Sequence, residues 1–171
     1  MGGVAGIMIK RRMDEVEISY EVLEKEIMGA LGESGIMVLA TSAGGRVTAR
    51  SMSCIFNGLR IAFQTDKTST KMNQIRENSR VALCASNIQI EGKATVLGHP
   101  YEIPWFKEKF ARLHPGSFKA YSGLEDECVV EVEPSLITLW KYRKDNGKPY
   151  IDQLNVAERK ASRKYVTLAE E

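Results

Sequence analysis

The chain has 171 residues, 43% of them hydrophobic and 27% charged, with a formal net charge of +2. That composition fits a single globular domain large enough to bury a core, and it excludes disorder and a small cystine-rich scaffold. Three widely spaced cysteines (Cys54, Cys84, Cys128) and two isolated histidines (His99, His114) supply neither a zinc-ligand spacing nor a Cys–His nucleophile pair. No metal site is expected, and the cysteines read as reduced, mostly buried thiols of a cytoplasmic protein.

The apolar opening from Met1 to Ile9 is too short to span a bilayer, and Lys10-Arg11-Arg12 follows it instead of preceding it as in an export signal. Gly6 stands where a myristoylation motif needs Ser or Thr. Residues 1–18 are read as a loosely ordered N-terminal segment, and no membrane association is expected. Ser19 then caps an amphipathic helix carrying Tyr20, Leu23, Ile27 and Leu31 on one face, with Gly32 to end it.

Three strands follow: Ile36 to Thr41, Arg46 to Phe56 and Leu59 to Thr65. The first two join at Gly44-Gly45, and Asn57-Gly58 predicts a type I′ hairpin turn between the second and third. The period then changes, and Thr68 to Asn78 fits a short helix with Met72 and Ile75 on one side. Val81 to Ala85 and Ile88 to Leu97 resume β character. A helical stretch around Phe106, Phe110 and Leu113 follows Pro100 and Pro104, and two further β-runs, Glu127 to Val132 and Leu136 to Tyr142, are separated by Pro134. Asn155 to Tyr165 reads as a basic terminal helix. Seven or so strands, mostly antiparallel, with helices between them predict a mainly β protein, a closed or split barrel with flanking helices.

Basic and acidic blocks alternate along the chain and nearly cancel, and the basic ones hold few aromatics, so nucleic-acid binding is not expected. The informative stretch is Phe63 to Lys71, where a strand ends in a hydroxyl-rich loop that opens a helix. Free amides and the positive end of a helix dipole attract an anion there, and Thr68, Ser69, Thr70 and Lys71 add hydroxyls and a cation. A phosphate is the natural guest, although ordinary helix capping reads the same residues equally well.

These pieces, in this order, resemble the pyridoxamine 5′-phosphate oxidase-like flavoproteins of the FMN-binding split-barrel fold. Val38-Leu39-Ala40-Thr41, Gly44-Gly45-Arg46 and Arg50-Ser51-Met52 look like that family's first hairpin. Gln64-Thr65, Ser69-Thr70-Lys71 and Asn78-Ser79-Arg80-Val81-Ala82-Leu83 look like its phosphate loop, helix and following strand. Ile90-Glu91-Gly92-Lys93-Ala94 resembles its next strand. The likeness runs from Ile36 to Leu97, more weakly to Ile151, and sets a barrel domain at residues 19–151, with residues 152–171 a helical tail packing on the barrel or a partner subunit.

The resemblance implies bound FMN. Arg50 would lie near the flavin ring and phosphate, Ser51 and Met52 would offer backbone groups to the ring, and Gln64 and Thr65 would flank the ribityl and phosphate groups. Ser69, Thr70 and Lys71 fall on a phosphate triplet whose middle arginine is here Thr70, with Thr68 as an extra hydroxyl. Asn87 and Gln89 both compete for a glutamine position beside the flavin, Gln89 having the right side chain, and Trp140 resembles a flanking aromatic. Each has an ordinary structural rival: a solvent-facing strand arginine, an exposed helix lysine, a tryptophan filling a core or interface.

No residue stands out as a catalytic acid or base. The resemblance also implies a homodimer with flavin sites between subunits and electron or hydride transfer from a reduced nicotinamide to a small acceptor. Ile55 replaces the lysine of the vitamin B6 oxidases, and the segment 146–152 lacks their arginine-rich motif, so pyridoxamine phosphate oxidation itself is not expected. The tail looks like the small stress-protein-like bacterial branch. Two other readings remain: a flavin-binding or stress-associated module without turnover, and the same barrel holding heme or F420.

Overall fold

A computed structural model describes residues 9–170. They form β1 (Ile9–Ile18), α1 (Tyr20–Leu31), β2 (Ser34–Ala43), β3 (Arg46–Asn57), β4 (Arg60–Asp66), α2 (Thr70–Glu77), β5 (Arg80–Ala85) and β6 (Ile88–Gly98). A 3₁₀ turn (Pro100–Glu102), α3 (Pro104–Leu113), α4 (Pro115–Tyr121), β7 (Glu127–Tyr142), β8 (Pro149–Asn155) and β9 (Lys160–Glu170) complete the described chain. All strand pairs are antiparallel, in the order β1-β9-β8-β7-β4-β3-β2-β5-β6, and a β7–β6 pairing closes six of them into a barrel.

Closure depends on β7, whose residues 127–132 pair with β4 while 136–142 pair with β8. At the changeover sit Pro134, which has no N–H to donate, and Ser135, a residue that the facing β6 does not match. The two runs expected on either side of Pro134 are therefore one bulged strand, a position where proline is tolerated. Gly92 lies opposite Pro134, and a Cβ there would stand 2.5 Å from the Glu133 carbonyl oxygen, so the close approach requires glycine.

Alternation along the strands divides the apolar residues between two cores. Leu39, Ile61, Phe63, Ile90, Val130 and Ile137 fill the barrel. Ile55, Ala62 and Val129 point outward under Phe106 and Phe110 of α3. Ser19 accepts from the Val22 amide (3.3 Å) and Gly32 ends α1 at φ 68°, as the sequence predicts.

The β3–β4 turn differs from expectation. Its central residues are Gly58 and Leu59, with only Gly58 at positive φ (61°), the pattern of a type II′ turn. The β2–β3 turn instead has positive φ at both Gly44 (54°) and Gly45 (76°).

Both chain ends correct the sequence reading. Residues 160–170 form a strand and not a helix, paired with β8 on one side and β1 on the other. Residues 9–18, expected to be loose, are ordered by that pairing, which satisfies the backbone of both segments and sets acidic Glu15 beside Lys164 (3.7 Å). The boundaries at 18 and 151 thus fall within one continuous sheet. The opening segment Met1 to Met8 and its expected looseness lie outside the described residues.

Candidate cofactor-binding site

Between β3 and β4 the barrel is split. The two strands pair only over Ile55–Asn57 and Arg60–Ala62, whereas β3 pairs with β2 from Arg46 to Ile55. Residues 46–54 of β3 consequently present an edge without a strand partner, and the backbone of Arg50, Ser51 and Met52 lies on it. Ser51 points to the outer face, and Met52 is half-buried against the barrel core.

Arg50 projects from this edge on the same face as Leu39, its partner in register. Its guanidinium donates to the Thr41 hydroxyl (2.8 Å), the Leu39 carbonyl (3.2 Å) and the Thr48 hydroxyl. Thr41 and Thr48 each donate in turn to Oε1 of Gln74 on α2 (2.6 Å each), and Gln74 Nε2 donates to the Arg46 carbonyl at 2.9 Å. Because the Gln74 oxygen takes both hydroxyl protons, both hydroxyl oxygens face Arg50 as acceptors. Thr41, Thr48 and Gln74 escaped the sequence reading. Counting back from the Gly44-Gly45 turn pairs Thr41 with Thr48 and Leu39 with Arg50, and would have found the first two.

The other cation is Lys71, half-buried in the first turn of α2. Burial first, then the nearby Arg50 charge, push its ammonium below the ordinary lysine range. No carboxylate lies within ion-pair distance of it among the described residues. Burial likewise lowers Arg50. Two neighbouring, partly desolvated cations are held without a close counter-ion, an arrangement that an anion relieves.

The helix start adds donors. Ser69 is the N-cap, but its hydroxyl turns back to the Asp66 carbonyl (2.8 Å) and does not cap the helix. The amides of Thr70 and Lys71 have no hydrogen-bond partner among the described residues. Thr68 is not available as the extra hydroxyl. Its amide (2.5 Å) and hydroxyl (2.7 Å) both donate to the Asp66 carboxylate, and these bonds hold Asp66 below the usual carboxylate range. Thr65 is buried at the end of β4, its carbonyl accepting from Cys128 Sγ at 3.3 Å. Gln64 faces the opposite way, where Ser122 donates to its Oε1 (2.5 Å) and its Nε2 donates to the Ser117 carbonyl (3.4 Å).

Gln89 and Trp140 are not brought to the split. Gln89 is exposed on β6, across the barrel from β3 and β4, with its amide on Glu91 (3.1 Å). It lines a broad groove of about 1210 Å³ over β2, β5, β6 and β7 that does not include Arg50 or Lys71. Trp140 is 39% exposed. Its amide donates to the Asn87 carbonyl (3.0 Å), and the Asn87 side chain donates to the Trp140 carbonyl (2.9 Å). Asn87 is thus engaged with the backbone of β7.

A half-open antiparallel barrel with Arg50 and Lys71 at its seam defines the class. The family model described as pyridoxamine 5′-phosphate oxidase matches residues 23–141, and the chain belongs to that family. No curated protein matches. Solved structures share the fold. General Stress Protein 26 from Bacillus anthracis is 18% identical (TM-score 0.55; 67% of this chain, 91% of that one). A pyridoxamine 5′-phosphate oxidase-related, FMN binding protein from Nostoc punctiforme is 15% identical (TM-score 0.54; 89% and 93%). An F420 reductase is 18% identical (TM-score 0.50; 64% and 94%).

Proposed function

We propose that the protein binds FMN at the split and works as an oxidoreductase, passing electrons or hydride from a reduced nicotinamide to a small acceptor. The observation that carries this reading is the open edge of β3, with Arg50, Lys71 and the free amides of α2 gathered along it. Those groups would hold the phosphate, and the edge backbone of Ser51 and Met52 would meet the polar rim of the ring. Bound there, the flavin supplies the redox chemistry, while the chain supplies orientation and charge.

The working unit is a homodimer in the cytoplasm. Gln89 and Trp140 lie away from the split of their own chain, so a site containing them draws them from a second copy. The outer face of β2, β3 and β5 carries exposed Ile36, Val38, Val47 and Cys84, an apolar surface suited to that contact. Ile55 is 1% exposed beneath α3, where no substrate phosphate could be gripped, which supports an activity other than pyridoxamine phosphate oxidation.

Purified protein should be yellow, with a flavin absorbance spectrum, and should oxidise NADH or NADPH with an acceptor present. Binding without turnover on any donor supports a flavin-holding module instead. The F420 reductase among the fold relatives makes deazaflavin the second cofactor to test, and mass spectrometry of the released cofactor separates it from FMN. Heme has less support: His99 is bonded to the Leu124 carbonyl (3.0 Å) and the Tyr101 amide (3.2 Å), and His114 to the Cys54 carbonyl (3.0 Å).

A further inference from the structure

Asp66 and Glu127 are register partners where β4 ends and β7 begins, beside the loop that opens α2. Glu127 is 5% exposed, yet no hydrogen bond or ion pair holds its carboxylate among the described residues. The charged and titratable groups that act on it are Asp66 from β4, Lys71 from α2 and His99 from the segment before the 3₁₀ turn, and it acts in turn on Cys128, its neighbour on β7. Lys71 feels the charges of Arg50 and of both carboxylates, none of the carboxylates within ion-pair distance among the described residues. Asp66 is tied down by two bonds from Thr68. Glu127 has no such tether.

We propose that Glu127 is the proton-linked counter-charge of the cradle, a positioning residue that offsets the Lys71 charge when ionised and leaves it to a ligand phosphate when protonated. The inference rests on the cradle being a phosphate site. With Glu127 ionised, its charge offsets part of the field of Arg50 and Lys71 and weakens their hold on a phosphate. Protonation of Glu127 removes that offset. Burial first, then the Asp66 charge, already hold the Glu127 carboxyl above the usual range, against the pull of Lys71 and His99. Thr68 holds Asp66 in the opposite direction, so Glu127 is the member of the pair that takes up the proton. A bound phosphate raises Glu127 further, so binding takes up a proton and weakens as pH rises between the free and bound values.

Titration calorimetry at about pH 5.5 and about pH 8, in buffers of different ionisation enthalpy, tests this on the intact protein. The probes are inorganic phosphate, FMN and riboflavin, which lacks the phosphate. Wild type should take up protons on binding phosphate or FMN but not riboflavin. Glu127→Gln should lose that uptake and bind phosphate and FMN roughly tenfold more tightly than wild type near pH 8, with the gap narrowing as pH falls. Glu127→Asp, which keeps the charge, should follow wild type. Because the ligand's own second ionisation acts equally on all variants, their difference isolates Glu127.

Equal affinities of wild type and Glu127→Gln at both pH values, or proton uptake no greater in wild type than in Glu127→Gln, overturns the proposal. If Glu127→Gln misfolds, wild type titrated with sulfate, a dianion at both pH values, decides: no proton uptake overturns the proposal. Glu127-dependent uptake with phosphate but no FMN binding supports the proposal and overturns the flavin reading. Failure of wild type to bind phosphate or FMN overturns both.

Discussion

Two charge clusters show how this fold separates support from binding. In the β7–β9 extension, Asp152 is fully buried and accepts from Arg163 (2.6 and 2.8 Å) and Lys141 (2.8 Å), and Lys141 also meets Glu26 of α1 at 2.5 Å. The Tyr150 ring lies 4.5 Å from the Arg163 guanidinium. Every charge there has a partner, and the cluster ties α1 to the sheet. At the split, Arg50 is bonded only to neutral oxygens and Lys71 to nothing within ion-pair distance among the described residues. Charge is left without a partner in one cluster and saturated in the other, and the proposed ligand site is the first of them.

Breaking each cluster should therefore move a different observable. Replacing both Arg50 and Lys71 by alanine removes two charge-assisted contacts of roughly 1.5–3 kcal/mol each. FMN affinity measured by equilibrium dialysis should fall at least ~100-fold, with the urea midpoint close to wild type. A double variant that retains FMN as tightly would show that the phosphate lies elsewhere. Asp152→Ala should do the reverse, costing about 3–5 kcal/mol in urea unfolding because Arg163 and Lys141 lose their buried partner, while FMN affinity per folded molecule stays unchanged.

The acid limb of stability sharpens the same contrast. Burial alone would raise the Asp152 carboxyl, but Arg163 and then Lys141 outweigh it and hold it below its ordinary value. A depressed folded value contributes stability above the unfolded range near pH 4, and that stability is lost as pH falls through the folded value. Asp152→Asn should lack this part of the acid-induced loss in chemical denaturation at stepped pH. An unchanged acid limb would remove Asp152 from that role.

Smaller effects belong to the residues that aim the cradle. Gln74→Leu removes the acceptor that orients Thr41 and Thr48, and FMN dissociation should quicken about threefold to tenfold, one or so hydrogen bonds' worth. Thr70→Arg, which adds the missing cation in the first turn of α2, should tighten FMN by a few-fold at low salt and less at high salt. A salt-independent gain would argue for packing in place of charge.

Much of the barrel could be read from residue order. The helix from Ser19 to Gly32, the first three strands, the break at Thr65 to Ser69 and the two strands after α2 are local features of period, cap and turn. The type II′ turn at Gly58-Leu59 was misassigned because Asn57-Gly58 fits a type I′ pattern locally, whereas the β3–β4 register places the turn one residue later. The terminal strand was missed for another reason. Residues 155–165 carry a mixed pattern, and only pairing with β8 and β1, far away in sequence, makes an extended backbone the better solution.

The sequence by itself determined that this chain builds a β-rich domain with a hydroxyl-rich strand-to-helix junction at Phe63 to Lys71, because caps, turns and hydrophobic periods act over a few residues. Only the tertiary structure decided that β3 and β4 part after three residue pairs, that Thr68 serves Asp66, that Gln64 faces α4, and that Glu127 is buried opposite Asp66. Those outcomes follow from strand register and burial, which depend on partners dozens of residues away and on the dielectric that packing creates around each charge.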